Sequence, residues 1–286
     1  MEMDRRRSGG RVLLEALFAH GRVNWRKVPE ITLYFWIVKV LCTTVGETAS
    51  DFLSTNLKLG LTNTTYIMGS FLLIALFFQF RARKYVAGIY WLAVVLISIV
   101  GTQITDNLTD NLGVSLVTTT IVFGVALAAT FAAWYASEKT LSIHTIYTLR
   151  RETFYWLAIL FTFALGTAAG DLTAEKFNLG YLVSAFIFGA LIATVTVAHL
   201  RFKLSAVLSF WIAYILTRPL GASLGDYLSQ AHGVGGLGLG TVVTSALFLI
   251  TIVGTVVYLT ITKKDVARTQ DSGWITHQVG AWTPDM

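Results

Sequence analysis

Four aspartates, Asp51, Asp106, Asp171 and Asp226, each stand five residues after a glycine and fifteen after a tryptophan, at the end of a long apolar stretch. The glycines are Gly46, Gly101, Gly166 and Gly221; the tryptophans, Trp36, Trp91, Trp156 and Trp211, each follow a Phe or Tyr. A carboxylate inside an apolar helix neutralises itself, meets a cation or reaches water, because leaving it bare costs several kcal/mol. Four brought close together would bind a cation or hold protons, since neighbouring like charges cannot all stay ionised uncompensated. Oxygen ligands from Asp, Glu, Asn, Gln, Thr and Ser suit a hard ion such as Mn²⁺, Mg²⁺, Ca²⁺ or Na⁺, whereas Zn²⁺ or Cu⁺ would ask for His, Cys or Met. Cys42 is the single cysteine, and His20, His144, His199, His232 and His277 are scattered.

Each copy surrounds its aspartate differently. In the first, Lys39, Thr43, Glu47 and Asp51 recur every four residues and share one helical face, so Glu47, with Thr48 beside it, can join the site of Asp51. The second supplies Gln103, Asn107, Asp110 and Asn111 around Asp106; the third has Thr167 before Asp171; the fourth has Ser223 before Asp226, with Arg218 two turns back beside Pro219. The expected ion ligands are Asp51, Asp106, Asp171, Asp226 and Glu47, supported by Gln103, Asp110 and Thr48. Arg218 is expected as the counter-ion of Asp226, and Lys39 as a partner of Glu47 or a snorkelling cation.

The elements that carry these residues are membrane spans. Of 286 residues, 55% are hydrophobic and 13% charged, and only three are proline, which is too evenly apolar for a water-soluble chain of this length. The fold class read from this is an all-α integral membrane protein with eight transmembrane helices, at 31–53, 62–80, 86–108, 115–135, 153–173, 181–199, 205–228 and 240–261. The aspartates step by 55, 65 and 55 residues, and a shift of 120 aligns Gly60 with Gly180, Gly69 with Gly189 and Arg81 with Arg201. A two-helix unit, duplicated twice, gives halves at 29–142 and 143–264. Residues 1–28, with Arg5-Arg6-Arg7, read as a basic interfacial helix without a cleavage site, and 265–286 as a polar tail.

Charge fixes the orientation. Lys and Arg crowd the N-terminal segment, Arg81-Ala-Arg83-Lys84, the stretch with Lys139, Arg150 and Arg151, then Arg201, Lys203, Lys263, Lys264 and Arg268. The alternate loops hold just Lys58 and Lys176. Both termini are therefore expected in the cytoplasm, and all four repeats run parallel. The tryptophans would form an aromatic belt at the cytoplasmic interface, with each aspartate about 22 Å further along its helix, toward the outer face. The net charge of +6 belongs to these loops rather than to a nucleic-acid footprint. Small glycines ahead of each aspartate would let neighbouring helices approach closely.

Val28-Pro29-Glu30-Ile31-Thr32 leading into Gly46-Glu47-Thr48-Ala49-Ser50-Asp51, with the three later Gly/Asp copies, resembles a family of uncharacterised multi-pass bacterial inner-membrane proteins. The resemblance implies a bacterial plasma-membrane location and no particular activity. A looser likeness, to small cation exporters with acidic residues beside Gly in duplicated helices, departs in lacking their Glu-Gly-Asp order. The expected function is transport of a hard cation, Mn²⁺ favoured, coupled to protons, with lipid, cation and protons as partners, no cofactor, and self-association compatible. The alternative is a non-transporting scaffold or sensor whose aspartates cap the outer helix ends. An enzyme is not expected: no His-metal motif or nucleophile with a base is evident, and Gly233-Val-Gly-Gly-Leu-Gly-Leu-Gly240 lacks the Lys-Ser/Thr end of a phosphate loop.

Overall fold

The computed structural model describes residues 26–266, so the expected interfacial helix lies outside the described residues except for its last three, and the tail lies outside them beyond residue 266. Eight long helices follow one another: α1 (Leu33–Asp51), α2 (Leu61–Arg81), α3 (Ala87–Asp106), α4 (Leu116–Glu138), α5 (Leu149–Asp171), α6 (Tyr181–Phe202), α7 (Ala206–Ser229) and α8 (Thr241–Thr262). No strand occurs among the described residues. Seven of the helices are long and apolar enough to cross a bilayer; the exception, α1, carries Lys39, Glu47 and Asp51.

Local chemistry sets the helix starts. The hydroxyls of Thr32, Ser115 and Thr148 accept from the backbone amides of Phe35, Thr118 and Arg151, satisfying N–H groups that the first turn leaves open. Gly60 and Gly180, matched by the 120-residue shift, precede α2 and α6 with φ of 74° and 76°, a region that side chains resist, and Gly240 repeats this before α8 with φ of 79°.

The packing order is cyclic. α1 touches α3, α3 touches α5, α5 touches α7, and α7 returns to α1, closing a ring of the four Asp-bearing helices. Outside it, α2 leans on α3, α4 on α5, α6 on α7 and α8 on α1, so every even helix covers the odd helix that follows it around the ring. Burial agrees: the apolar windows of α3, α5 and α7 are 56–78% buried, those of α2, α4, α6 and α8 only 17–22%. The even helices turn Phe71, Leu73, Ile121, Phe186 and Ile250 outward, an apolar surface suited to lipid.

One expectation is corrected here. Trp91, Trp156 and Trp211 do not form an outward belt; they are at most 3% exposed. With the aromatic residue before each, they make an interior layer: Phe35 packs on Phe210 and Trp91, the Tyr90 and Tyr155 hydroxyls bond to each other, and Tyr155 packs on Trp211. Aromatic rings bury large areas and gain further by packing on one another, so neighbouring rings on four adjacent helices fill the end of the ring. Around this Trp end, residues 26–30 cross the bundle. The Lys27 ammonium bonds Glu152 at 2.6 Å and the Phe80 carbonyl at 3.0 Å, Gln79 donates to Glu152 at 3.0 Å, and Tyr85 donates to Asp265 at 2.6 Å. Burial first, and the bond to Asp265 second, hold the Tyr85 hydroxyl far above its ordinary pKa.

Candidate functional site

The ring closes through its glycines. A Cβ on Gly46 would run into Ser98, one on Gly101 into Phe163, one on Gly166 into Arg218 and one on Gly221 into Thr43. Ser98, Phe163, Arg218 and Thr43 each stand eight residues before the aspartate of the next helix around the ring. One contact therefore occurs four times and returns to its start, so the expected close approach is met at all four glycines.

Because these residues recur at spacing four, the ring is organised in levels along its axis. Above the aromatic layer comes Lys39, wholly buried, whose ammonium lies 4.1 Å from the Phe163 ring centroid and 4.3 Å from that of Tyr214 and makes no hydrogen bond. Lys39 thus partners neither Glu47 nor the exterior; two aromatic faces receive its ammonium instead.

The next level is built on Arg218, also wholly buried. Its guanidinium donates to Glu47 Oε2 at 2.8 Å, to the Thr43 carbonyl at 3.1 Å, to Thr167 Oγ1 at 2.7 Å and to Thr102 Oγ1. Glu47, Thr102 and Thr167 share one register, each directly after its repeat's ring glycine, and the fourth copy has the small Ala222 there. Three repeats thus offer oxygens to a cation supplied by the fourth. The expected pairing of Arg218 with Asp226 is corrected: on its own helix Asp226 lies two turns away, while Glu47 faces Arg218 from the neighbouring helix α1.

The aspartates form the following level. Asp51, Asp106 and Asp171 close their α-helices and are half-buried, while Asp226 is 8% exposed on α7, which runs on to Ser229. The first three are followed at once by a π turn, Phe52–Asn56, Asn107–Asn111 and Leu172–Lys176, with i→i+5 bonds such as Leu57 N–H to the Phe52 carbonyl at 2.9 Å. Such turns often mark functional positions. None of these three carboxylates caps the turn that follows. Asp51 Oδ2 accepts from Gln230 at 3.2 Å; Asp106, Asp171 and Asp226 have no side-chain bond or ion pair among the described residues. All four lie within electrostatic reach of Glu47.

The carboxylates share a level but form no metal cage among the described residues. Among the described residues no three His, Cys, Asp or Glu side chains stand close enough to hold a metal ion, so the expected convergence within a few ångströms is not seen. The position between the repeats one turn below is taken by Arg218.

The supporting residues divide. Gln103 is wholly buried on α3 with both amide atoms unpartnered, and Asp110 is exposed in the π turn, accepting from Thr109 at 2.9 Å. Thr48 belongs elsewhere: it bonds the Thr44 carbonyl and accepts from Ser245 on α8 at 2.7 Å. Asn107 ties α3 to Thr65 on α2. Ser50, Ser98, Ser223 and Arg218 Nε are further buried polar atoms on the ring helices with no protein partner. Each such group costs about 1–3 kcal/mol unless water or an ion meets it. Thr102 is the residue that sequence reasoning missed, although its place after Gly101 repeats that of Glu47 after Gly46.

A family model described as Repeat of Unknown Function (DUF347) matches the chain four times, at residues 34–85, 89–140, 154–205 and 209–265. Each match begins at an odd helix and runs through the even helix after it. No curated protein and no solved structure matches the chain.

Proposed function

The chain belongs to the DUF347 family of repeats of unknown function, and on that premise we propose that it is a membrane-embedded transporter of a hard cation, Mn²⁺ favoured, exchanging the ion for protons through the ring of α1, α3, α5 and α7. The observation that carries this reading is the level of four aspartates at one register on a closed ring, directly above the buried Arg218–Glu47 pair. In the proposed setting a bilayer covers the even helices, the basic Trp end with both termini faces the cytoplasm, and the Asp end opens outward. A bacterial inner membrane is the location this implies.

Oxygen-only ligands favour a hard ion at the Asp level. Arg218 serves as a tethered cation: it neutralises Glu47 while the ion is away, and Thr102 and Thr167 offer it alternative oxygens when an ion claims Glu47. The partnerless polar atoms of Gln103, Ser50, Ser98 and Ser223 support a wet path between those levels. The aromatic layer closes the path at the Trp end, so the geometry suits one half of an alternating-access cycle.

A second reading, a non-transporting scaffold or sensor, is supported by the lack of any group of three metal-ligating side chains among the described residues. Titration calorimetry on detergent-purified protein decides between the two. Saturable Mn²⁺ binding is expected, weakened at least tenfold by Asp51→Asn and to a similar degree by Asp171→Asn, its counterpart under the 120-residue shift. No saturable heat with Mn²⁺, Mg²⁺, Ca²⁺ or Na⁺ would sink the transporter and leave the scaffold.

A further inference from the structure

We propose that the cavity at the C-terminus of α2 is a binding site for the phosphate of an anionic phospholipid, with the acyl chains lying along α2. The cavity, about 320 Å³, opens where α2 meets the crossing segment and the loop between α4 and α5, and is lined by Lys27, Phe80, Arg81, Ala82, Arg83 and Tyr147.

Its charges are unevenly spent. Lys27 is already committed to Glu152 and to the Phe80 carbonyl. That second bond matters, because the last carbonyls of a helix repel an anion and Lys27 covers one of them. Arg81 and Arg83, one on each side of Ala82, are exposed, and neither forms an ion pair among the described residues. Two uncompensated planar forks at one cavity suit the tetrahedral oxygens of a phosphate ester, and Tyr147 lines the same cavity.

The neighbouring surface selects the kind of phosphate. Going up α2 from the cavity, Phe78, Phe77, Ile74 and Phe71 are exposed, and the Arg81 guanidinium lies 5.9 Å from the Phe77 ring centroid. An anionic head beside an outward apolar helix face fits a molecule with both parts, whereas free phosphate would use the arginines alone. Basic pockets at the cytoplasmic ends of membrane helices take such headgroups.

The site rests on the membrane placement proposed above, and the two fail separately. A chain recovered from cells in the aqueous fraction without detergent would remove the placement and the site with it. A detergent-extracted chain lets the site be tested by itself, by native mass spectrometry with phosphatidylglycerol and phosphatidylcholine of matched chains. At least a tenfold preference for phosphatidylglycerol is expected, falling to near parity in Arg81→Gln/Arg83→Gln and unchanged in Arg201→Gln/Lys203→Gln, exposed charges of the same end outside the cavity. Equal binding of the two lipids, a preference that survives Arg81→Gln/Arg83→Gln, or the same loss in both double variants would overturn the site. Displacement of the lipid by inorganic phosphate at equal concentration would overturn the lipid as its occupant.

Discussion

Arg218→Met should lower the thermal midpoint of the purified protein by on the order of 10 °C, among the largest effects of any single side chain here. The substitution leaves Glu47, 6% exposed, without its counter-ion inside the ring, and breaking one partner out of a buried pair costs about 3–5 kcal/mol. Methionine keeps most of the apolar stem that packs against Gly166, so the loss reports on charge rather than on a void. The double variant Arg218→Met/Glu47→Leu should recover at least half of it, since an apolar pair of similar volume often replaces a buried ion pair at little net loss. A double variant as unstable as the two single losses added together would show that the pair is not coupled.

The ring glycines give the second large effect, and its sign is diagnostic. In an exposed helix, Gly→Ala gains roughly 0.5–1 kcal/mol by stiffening the unfolded chain. Gly69→Ala and Gly189→Ala should show that gain, because nothing lies within 4 Å of a Cβ at either position. Gly46→Ala and Gly221→Ala should instead destabilise by about 1–3 kcal/mol each, because the new methyl meets the Ser98 or Thr43 side chain and, behind it, that residue's backbone. Chemical denaturation of the four variants in one detergent measures the difference. Equal gains at all four positions would mean that α1–α3 and α7–α1 do not pack as described.

The repeat that predicts the ring is visible in the chain because one contact has to be made four times by residues at fixed offsets. Gly46 and its three counterparts keep a register with Asp51 and its counterparts because that register sets which residue of the next helix they meet. The eight helices were legible for a related reason: seven of them, the outer α2, α4, α6 and α8 among them, carry apolar runs long enough to cross a bilayer. Partnerships between distant helices were not legible. Spacing along α7 puts Arg218 near Asp226, and only the return of α7 onto α1 brings it to Glu47. The tryptophans misled because an aromatic residue near a helix end suits an interface and a packed interior alike, and their burial depends on which neighbours the ring provides. Lys27, Gln79 and Glu152 carried no signal, for each comes from a different element and none repeats.

Transport itself is tested most directly by flux. Protein reconstituted into liposomes with an imposed proton gradient should move Mn²⁺ at a rate that saturates with its concentration, and replacing Asp51, Asp106, Asp171 and Asp226 together by Asn should reduce that rate to the level of protein-free liposomes. Flux of Mn²⁺, Mg²⁺, Ca²⁺ and Na⁺ by the unaltered protein no faster than in protein-free liposomes, with the gradient in either direction, would contradict the account.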